Sequence, residues 1–282
     1  MTSHKFRIIN VFTIEDQAFS GNPLCVVEDG SGLSDEAMQA IALQFNLSET
    51  TFILSSTDAT ARIRIFTPYF ELPFAGHPTL GSAHVVRDLL SSGDRSTIET
   101  KSGIIRLTAE GDRWGLQAPS PTTRPVSISL PQLAEMLGLN AADISKPVLS
   151  VNAGVEQLLI PLNSEDALAR CTPDYSLLTQ FGRNQNGVGM VYVWAVTGPQ
   201  QVTSRFFFEK DNAVCEDPGT GSACANLGGW LLTRDADIPA SIAVYQGRET
   251  GRPCRLALNI NSDEKITVSG KVTEFGRGEI FY

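Results

Sequence analysis

Two stretches of seven residues set the frame for this chain. His77-Pro78-Thr79-Leu80-Gly81-Ser82-Ala83 and Asp217-Pro218-Gly219-Thr220-Gly221-Ser222-Ala223 share Pro, Gly, Ser and Ala in register. They lie 140 residues apart in a chain of 282, close to half its length, and Phe66 and Phe206 fall at the same offset. Each stretch follows a strand-like run and opens a helix-like one. A match of this kind at half-length predicts duplication of one domain rather than a single large fold.

The order of local patterns agrees. Residues 6–13 (FRIINVFT) and 24–27 (LCVV) read as buried strands. A helix then starts at a Ser34 N-cap, with Ala37, Met38, Ile41, Ala42 and Phe45 on one face, and ends at Asn46-Leu47-Ser48-Glu49. Strands follow at 51–54 and 61–66, a helix at 78–90, and strand-like runs through 98, 103–109 and 114–118. Residues 120–125 (SPTTRP) read as a linker. Beyond it come a helix at 130–139, strands at 148–151 and 157–161, a short helix at 166–170, strands at 188–196 and 204–208, a helix at 221–233, and strands to the C-terminus. Strands carrying one or two inserted helices, twice over, predict α+β halves rather than a doubly wound parallel sheet. The expected halves are 1–119 and 126–282, the last strand being free to pack on the N-terminal one.

Composition narrows the function. With 42% hydrophobic and 19% charged residues the chain is globular, and it is long enough to bury a core without staples. A net charge of −9 disfavours a nucleic-acid binder, which needs a basic face. The five cysteines show no zinc or redox spacing, and none of the three histidines lies near one, so neither a metal nor a disulfide framework is expected. The N-terminal run from Met1 leads into a strand rather than an apolar signal core, and no apolar stretch approaches membrane-spanning length. The expectation is a soluble, cytoplasmic protein.

In each repeat a polar residue, His77 or Asp217, precedes a proline and small residues at a predicted helix start. Pro suits the first helical position and the polar residue suits the N-cap, which leaves first-turn amides open to an anion. Two such helix ends facing a cleft would hold a small carboxylate. A well-capped helix start is the plainer reading of either motif taken singly.

These runs resemble a known family. Phe66-Thr67-Pro68-Tyr69-Phe70-Glu71-Leu72-Pro73-Phe74-Ala75-Gly76-His77-Pro78 is similar to the signature of the PhzF-like isomerases of phenazine biosynthesis. So are Asn46-Leu47-Ser48-Glu49-Thr50, Glu216-Asp217-Pro218-Gly219-Thr220-Gly221-Ser222-Ala223 and Phe275-Gly276-Arg277-Gly278-Glu279. Gly21-Asn22-Pro23 and the segment from Gln246-Gly247-Arg248 to Gly251-Arg252-Pro253 fit too, so the likeness runs along the whole chain. It implies two pseudo-symmetric diaminopimelate-epimerase-like domains, each a curved mixed sheet around a central helix. It further implies a homodimer and an isomerisation without cofactor.

By the same resemblance Glu49 is the proton-shuttling carboxylate, His77, Asp217 and Ser222 hold the substrate and assist proton transfer, and Ser48, Gly76, Thr220 and Gly221 line the pocket. Glu49 lies between Phe45, Leu47 and Thr51-Phe52-Ile53, apolar enough for the partial burial that a proton shuttle needs. His84, seven residues after His77, reads as packing. The rival on this fold is a two-thiol epimerase or racemase, but Cys215 and Cys224 are displaced by two residues from the motif and the first helix start has no cysteine. A non-catalytic ligand-binding relative is the other alternative. Gly219 and residues 210–215 depart from the phenazine enzyme's pattern, which leaves the substrate itself open.

Overall fold

The computed structural model describes residues 3–234 and 237–281, so Met1 and Thr2 of the N-terminal run lie outside it. The chain divides into two units. Unit 1 is Met1–Gln117 with Ser269–Tyr282, and unit 2 is Ala118–Val268.

Unit 1 contains β1 (Ser3–Val11), β2 (Asn22–Val27), α1 (Asp35–Phe45), β3 (Glu49–Leu54), β4 (Ala61–Phe66), β5 (Glu71–Leu72), α2 (Gly76–Leu90), β6 (Arg95–Thr100), β7 (Gly103–Glu110) and β8 (Arg113–Gln117). The hydroxyl of Ser34 accepts from the Ala37 amide at the start of α1, and Asn46 closes it in the left-handed conformation that asparagine tolerates. Met38, Ile41 and Ala42 then bury against Cys25, Val27, Phe52 and Phe66. The second helix is buried over most of its length, from His77 through Val86 apart from His84. Its small residues let strands approach: a Cβ on Gly81 would sit 2.7 Å from Leu24 Cδ2, and Ser82 meets the Thr51 hydroxyl at 2.8 Å. Leu80, Val85 and Val86 are wholly buried, each contributing about 1.5–3 kcal/mol.

Unit 2 contains β9 (Thr122–Pro125), α3 (Leu130–Leu137), β10 (Leu149–Asn152), β11 (Glu156–Pro161), α4 (Glu165–Arg170), α5 (Tyr175–Phe181), β12 (Met190–Gly198), β13 (Gln201–Lys210), β14 (Ala213–Asp217), α6 (Gly221–Leu232), β15 (Ala240–Gln246), β16 (Cys254–Ile260) and the first residues of β17 (Ile266–Phe281). From Ser269 onward β17 belongs to unit 1, where it pairs antiparallel with β1. The stretch expected as a linker holds β9, which pairs antiparallel with β10. Its four residues are exposed, and an exposed Pro/Thr run with no apolar alternation reads as a loop from sequence. Sequence reading also passed over α5 and β14.

The two units repeat one topology. In unit 1, β1 and β2 are antiparallel, β2 and β3 parallel, β3 and β4 antiparallel, β4 and β6 parallel, and β6 and β7 antiparallel. In unit 2 the series β10, β11, β12, β13, β15, β16 repeats that alternation step for step. Register fixes which residues correspond, and it corrects the offset of 140. Phe66 faces Thr50 and Glu71, while Phe207 faces Val191 and Glu216. Equivalent residues are therefore 141 apart before the hairpin, as Phe66 and Phe207, and 145 apart after it, as Glu71 and Glu216. The β13–β14 hairpin is four residues longer, and the helices accordingly begin at Gly76 and Gly221. The true repeat is Glu71-x-Pro73-x-x-Gly76 against Glu216-x-Pro218-x-x-Gly221.

Each copy carries the same ion pair at that hairpin. Arg64 forks onto both oxygens of Glu71 at 2.8 and 2.6 Å and stacks over Phe66. Arg205 forks onto Glu216 at 3.0 and 2.8 Å and stacks over Phe207. Bidentate geometry gives such pairs direction as well as strength, and each here anchors the strand that leads into a helix start.

Candidate active site

The helix starts differ from the expected arrangement. Ala75 and Thr220 occupy the N-cap positions, and neither side chain caps its helix. His77 is the second residue of α2, and Asp217 is the last of β14, four residues before α6. The shifted register explains this: the shared Pro-x-x-Gly-Ser-Ala letters lie wholly inside α2, whereas in the second copy only Gly221-Ser222-Ala223 are helical and Pro218 precedes α6. The expectation of open first-turn amides is compatible with this, since neither Ala75 nor Thr220 turns its side chain onto the helix start.

In unit 1 the structure brings together Ser48, Glu49, Gly76 and His77. Glu49 begins β3, three residues past the αL cap of α1, beside Leu24 of β2. Its Oε2 lies 3.3 Å from His77 Nε2, the side chains being 16% and 8% exposed. On the other side of the imidazole, Asn22 Nδ2 approaches Nδ1 at 3.5 Å, and the Ser48 hydroxyl donates to Asn22 Oδ1 at 3.3 Å. Burial pushes the His77 pKa from 6.5 down to about 3, against a smaller opposing pull from its hydrogen bond to the Pro23 backbone. The site thus pairs a carboxylate with a neutral imidazole.

That burial has a sign-definite effect on stability. Between pH 6.5 and about 3 the unfolded chain protonates His77 and the folded chain does not. Stability from this group is therefore full above the unfolded value and falls as the pH drops through that window, by about 1.4 kcal/mol per pH unit. Denaturant unfolding across that range should show His77→Gln with a flatter acid dependence than the parent. An unchanged slope would remove His77 as its source.

In unit 2 the structure gathers Asp217, Thr220, Gly221 and Ser222. Gln246, 2% exposed, organises the loop: its Nε2 donates to the Asp217 carbonyl at 2.7 Å and to Thr220 Oγ1 at 2.9 Å, while its Oε1 accepts from the Thr220 amide at 3.3 Å. With its oxygen occupied as an acceptor, the Thr220 hydroxyl donates to Asp217 Oδ2. Gly247 allows this approach, since at φ +82° a Cβ there would lie 2.4 Å from the Pro218 carbonyl oxygen. Ser222 Oγ accepts from Gln157 Nε2 at 3.0 Å.

Register also shows what was not duplicated. Glu49, next to Thr50, corresponds to Met190, next to Val191, and His77 corresponds to Ser222. No cysteine stands at either helix start, and Cys224, inside α6, is fully buried with its thiol pKa pushed up by desolvation. Among the described residues no group of three or more His, Cys, Asp or Glu side chains could hold a metal ion, and no helix is long and apolar enough to cross a membrane. His84, half-buried on α2, lies 3.9 Å from Asp112.

The family model for phenazine biosynthesis-like proteins, PhzC-PhzF, matches residues 9–278. The chain belongs to the PhzC-PhzF family. An uncharacterized isomerase of Pasteurella multocida is 41% identical, over 100% of this chain and 95% of that protein. The trans-2,3-dihydro-3-hydroxyanthranilate isomerase of Pseudomonas aeruginosa is 34% identical, over 99% of each. Among solved structures, a PhzF-family protein of Bacillus anthracis superposes with a TM-score of 0.89 at 25% identity over the whole of both chains. A hydroxyproline epimerase from Agrobacterium vitis shares the fold at a TM-score of 0.66 and 10% identity, over 99% of this chain and 91% of that one. This PhzC-PhzF chain is therefore an isomerase, with an α+β fold that it shares with that epimerase.

Several residues around these two groups escaped sequence reasoning as individuals. Asn22 and Gln246 stood only as letters within family-like runs. Asn226 carried a signal, an amide inside the apolar run of α6 that must find partners when buried. Gln157 carried none, since one polar residue in a strand is ordinarily solvent-facing.

Proposed function

We propose that this isomerase moves a proton between carbons of a small carboxylate-bearing substrate, of the trans-2,3-dihydro-3-hydroxyanthranilate type, by general acid–base catalysis without a cofactor. Glu49 takes the proton from one carbon and returns it to another. His77, Asp217 and Ser222 hold the substrate and assist the transfer, with Ser48, Gly76, Thr220 and Gly221 lining it. The observation that carries this reading is the Glu49 carboxylate 3.3 Å from a buried imidazole. A neutral imidazole relays a proton without adding a fixed charge to the site. Open amides at the helix starts suit a substrate carboxylate and a developing enolate.

Incubation with trans-2,3-dihydro-3-hydroxyanthranilate in D2O tests it. The expected result is an isomerised product carrying one solvent deuteron at carbon. Recovery of unlabelled starting material, with racemisation of free amino acids instead, would replace this reading by the epimerase one.

A further inference from the structure

We infer that Gln157 and Asn226 fix the direction of the Ser222 hydroxyl proton, so that Ser222 meets its substrate as a hydrogen-bond donor. This rests on Ser222 contacting substrate, as proposed above, and adds what Ser222 recognises.

The inference begins at backbone atoms, whose roles are not interchangeable. An N–H only donates and a carbonyl only accepts. The Ala153 amide donates to Asn226 Oδ1 at 2.6 Å, and Asn226 Nδ2 donates to the Val155 carbonyl at 2.8 Å. These two contacts set which end of the Asn226 amide is oxygen. Asn226 Nδ2 also donates to Gln157 Oε1 at 2.8 Å, which in turn sets the Gln157 amide. Gln157 then presents Nε2 to Ser222 Oγ at 3.0 Å. Reversing any member would set donor against donor among groups 0% and 1% exposed. The Ser222 oxygen is thus an acceptor toward the protein, and its one proton points away from Gln157.

The duplicated topology shows that packing does not demand this chain of amides. In unit 1 Leu24 occupies the place of Gln157, Gly81 that of Asn226 and His77 that of Ser222. Leu24 and Gly81 meet in the same way, with no polar atom between them. The fold accepts an apolar pair there, so Gln157 serves Ser222, while Asn226 both orients Gln157 and ties the backbone at Ala153 and Val155. An outward donor selects an acceptor oxygen, a carboxylate or an enolate forming during proton transfer, and rejects an amine or ammonium at that point. Gln157 and Asn226 are positioning residues for that contact.

Gln157→Glu tests the direction, because a carboxylate accepts from both Asn226 and Ser222 and turns the serine proton inward. Deuterium incorporation into trans-2,3-dihydro-3-hydroxyanthranilate should fall about 10²-fold in kcat, with KM changed less than threefold. In a Ser222→Ala background the same substitution should change kcat less than twofold. Equal losses in both backgrounds, or none in the parent, would overturn the inference. A second measurement leaves the buried amides intact and needs no substrate. In Ser222→Ala the side-chain amide protons of Gln157, followed by 15N–1H NMR, should shift upfield on losing their acceptor, and unmoved resonances would equally overturn it. If the unmodified protein incorporates no deuterium, the proposed substrate type fails while the amide resonances still decide the relay.

Discussion

Glu49→Gln should abolish deuterium incorporation from solvent, by about 10³-fold or more, while leaving ligand binding intact. Glutamine keeps the size of the side chain and still offers a polar atom to His77 Nε2, now 3.3 Å from Glu49 Oε2. It cannot accept a proton from carbon. General acid–base groups are typically worth roughly 10²–10⁴-fold, and a shuttle that both removes and returns the proton belongs at the upper end. The position equivalent to Glu49 in the repeat is Met190, so no carboxylate there can take over its role. Calorimetric affinity for 3-hydroxyanthranilate, the aromatic counterpart of the proposed substrate, should stay within about threefold of the parent. Deuterium exchange within tenfold of the parent would show that another group moves the proton.

Arg205→Ala should destabilise the protein far more than Arg64→Ala, although the two arginines make the same fork. Arg205 and Glu216 are 9% and 15% exposed at the side chain. Arg205 Nη1 also donates to the Cys171 and Leu168 carbonyls at 2.8 and 3.2 Å, at the C-terminal end of α4. Removing it leaves a largely buried carboxylate and helix-end carbonyls without that donor, at a cost of about 3–5 kcal/mol. In unit 1, Glu71 keeps Lys101 at 2.6 Å, and the other partner of Arg64, Asp35, is 75% exposed. Arg64 and Glu71 are themselves only 17% and 12% exposed, so it is the second cation on Glu71 that limits the loss there, to about 1–2 kcal/mol. Thermal unfolding of the two variants compares them directly, with a midpoint drop of roughly 10 °C expected for Arg205→Ala. Equal drops would show that Lys101 does not spare Glu71 and that the α4 carbonyls add nothing to the loss of Arg205. Replacing Arg205 and Glu216 together by methionine should recover most of the loss.

Where local physics decides an element, sequence reading located it. Ser34 and Asn46 bracket α1 through side-chain and backbone preferences of their own, and β4 spans Ala61–Phe66 as its alternation predicts. Glu49, His77, Ser48 and Gly76 come together in one unit, and Asp217, Thr220, Gly221 and Ser222 in the other. The repeat was legible as a fact and misread in register, because a run of identical letters carries no information about a hairpin that lengthened between the copies. The matching Glu-x-Pro-x-x-Gly was present, but its meaning depends on Arg64 and Arg205, seven and eleven residues upstream of their glutamates. Buried amides such as Gln157 and Gln246 leave no periodic trace, since their partners, the Asn226 and Ser222 side chains for one and the Asp217–Thr220 loop for the other, are brought near only by folding.

The longer hairpin bears on how this chain tolerates changes of length. Beyond the Phe207–Glu216 rung, β13 and β14 add three rungs and close through Asp211 and Asn212, both at positive φ, in a tight two-residue turn. Unit 1 spans the same gap from Phe66 to Glu71 with four residues and no further rung. Each added rung takes one residue from either arm, so insertions in even numbers extend the tip and leave the arginine fork at its base in phase. A short peptide of even length between Asp211 and Asn212 should therefore be carried silently, whereas a single added residue must be taken up at the tip, as a three-residue loop with a bulge, for Glu216 to keep its face.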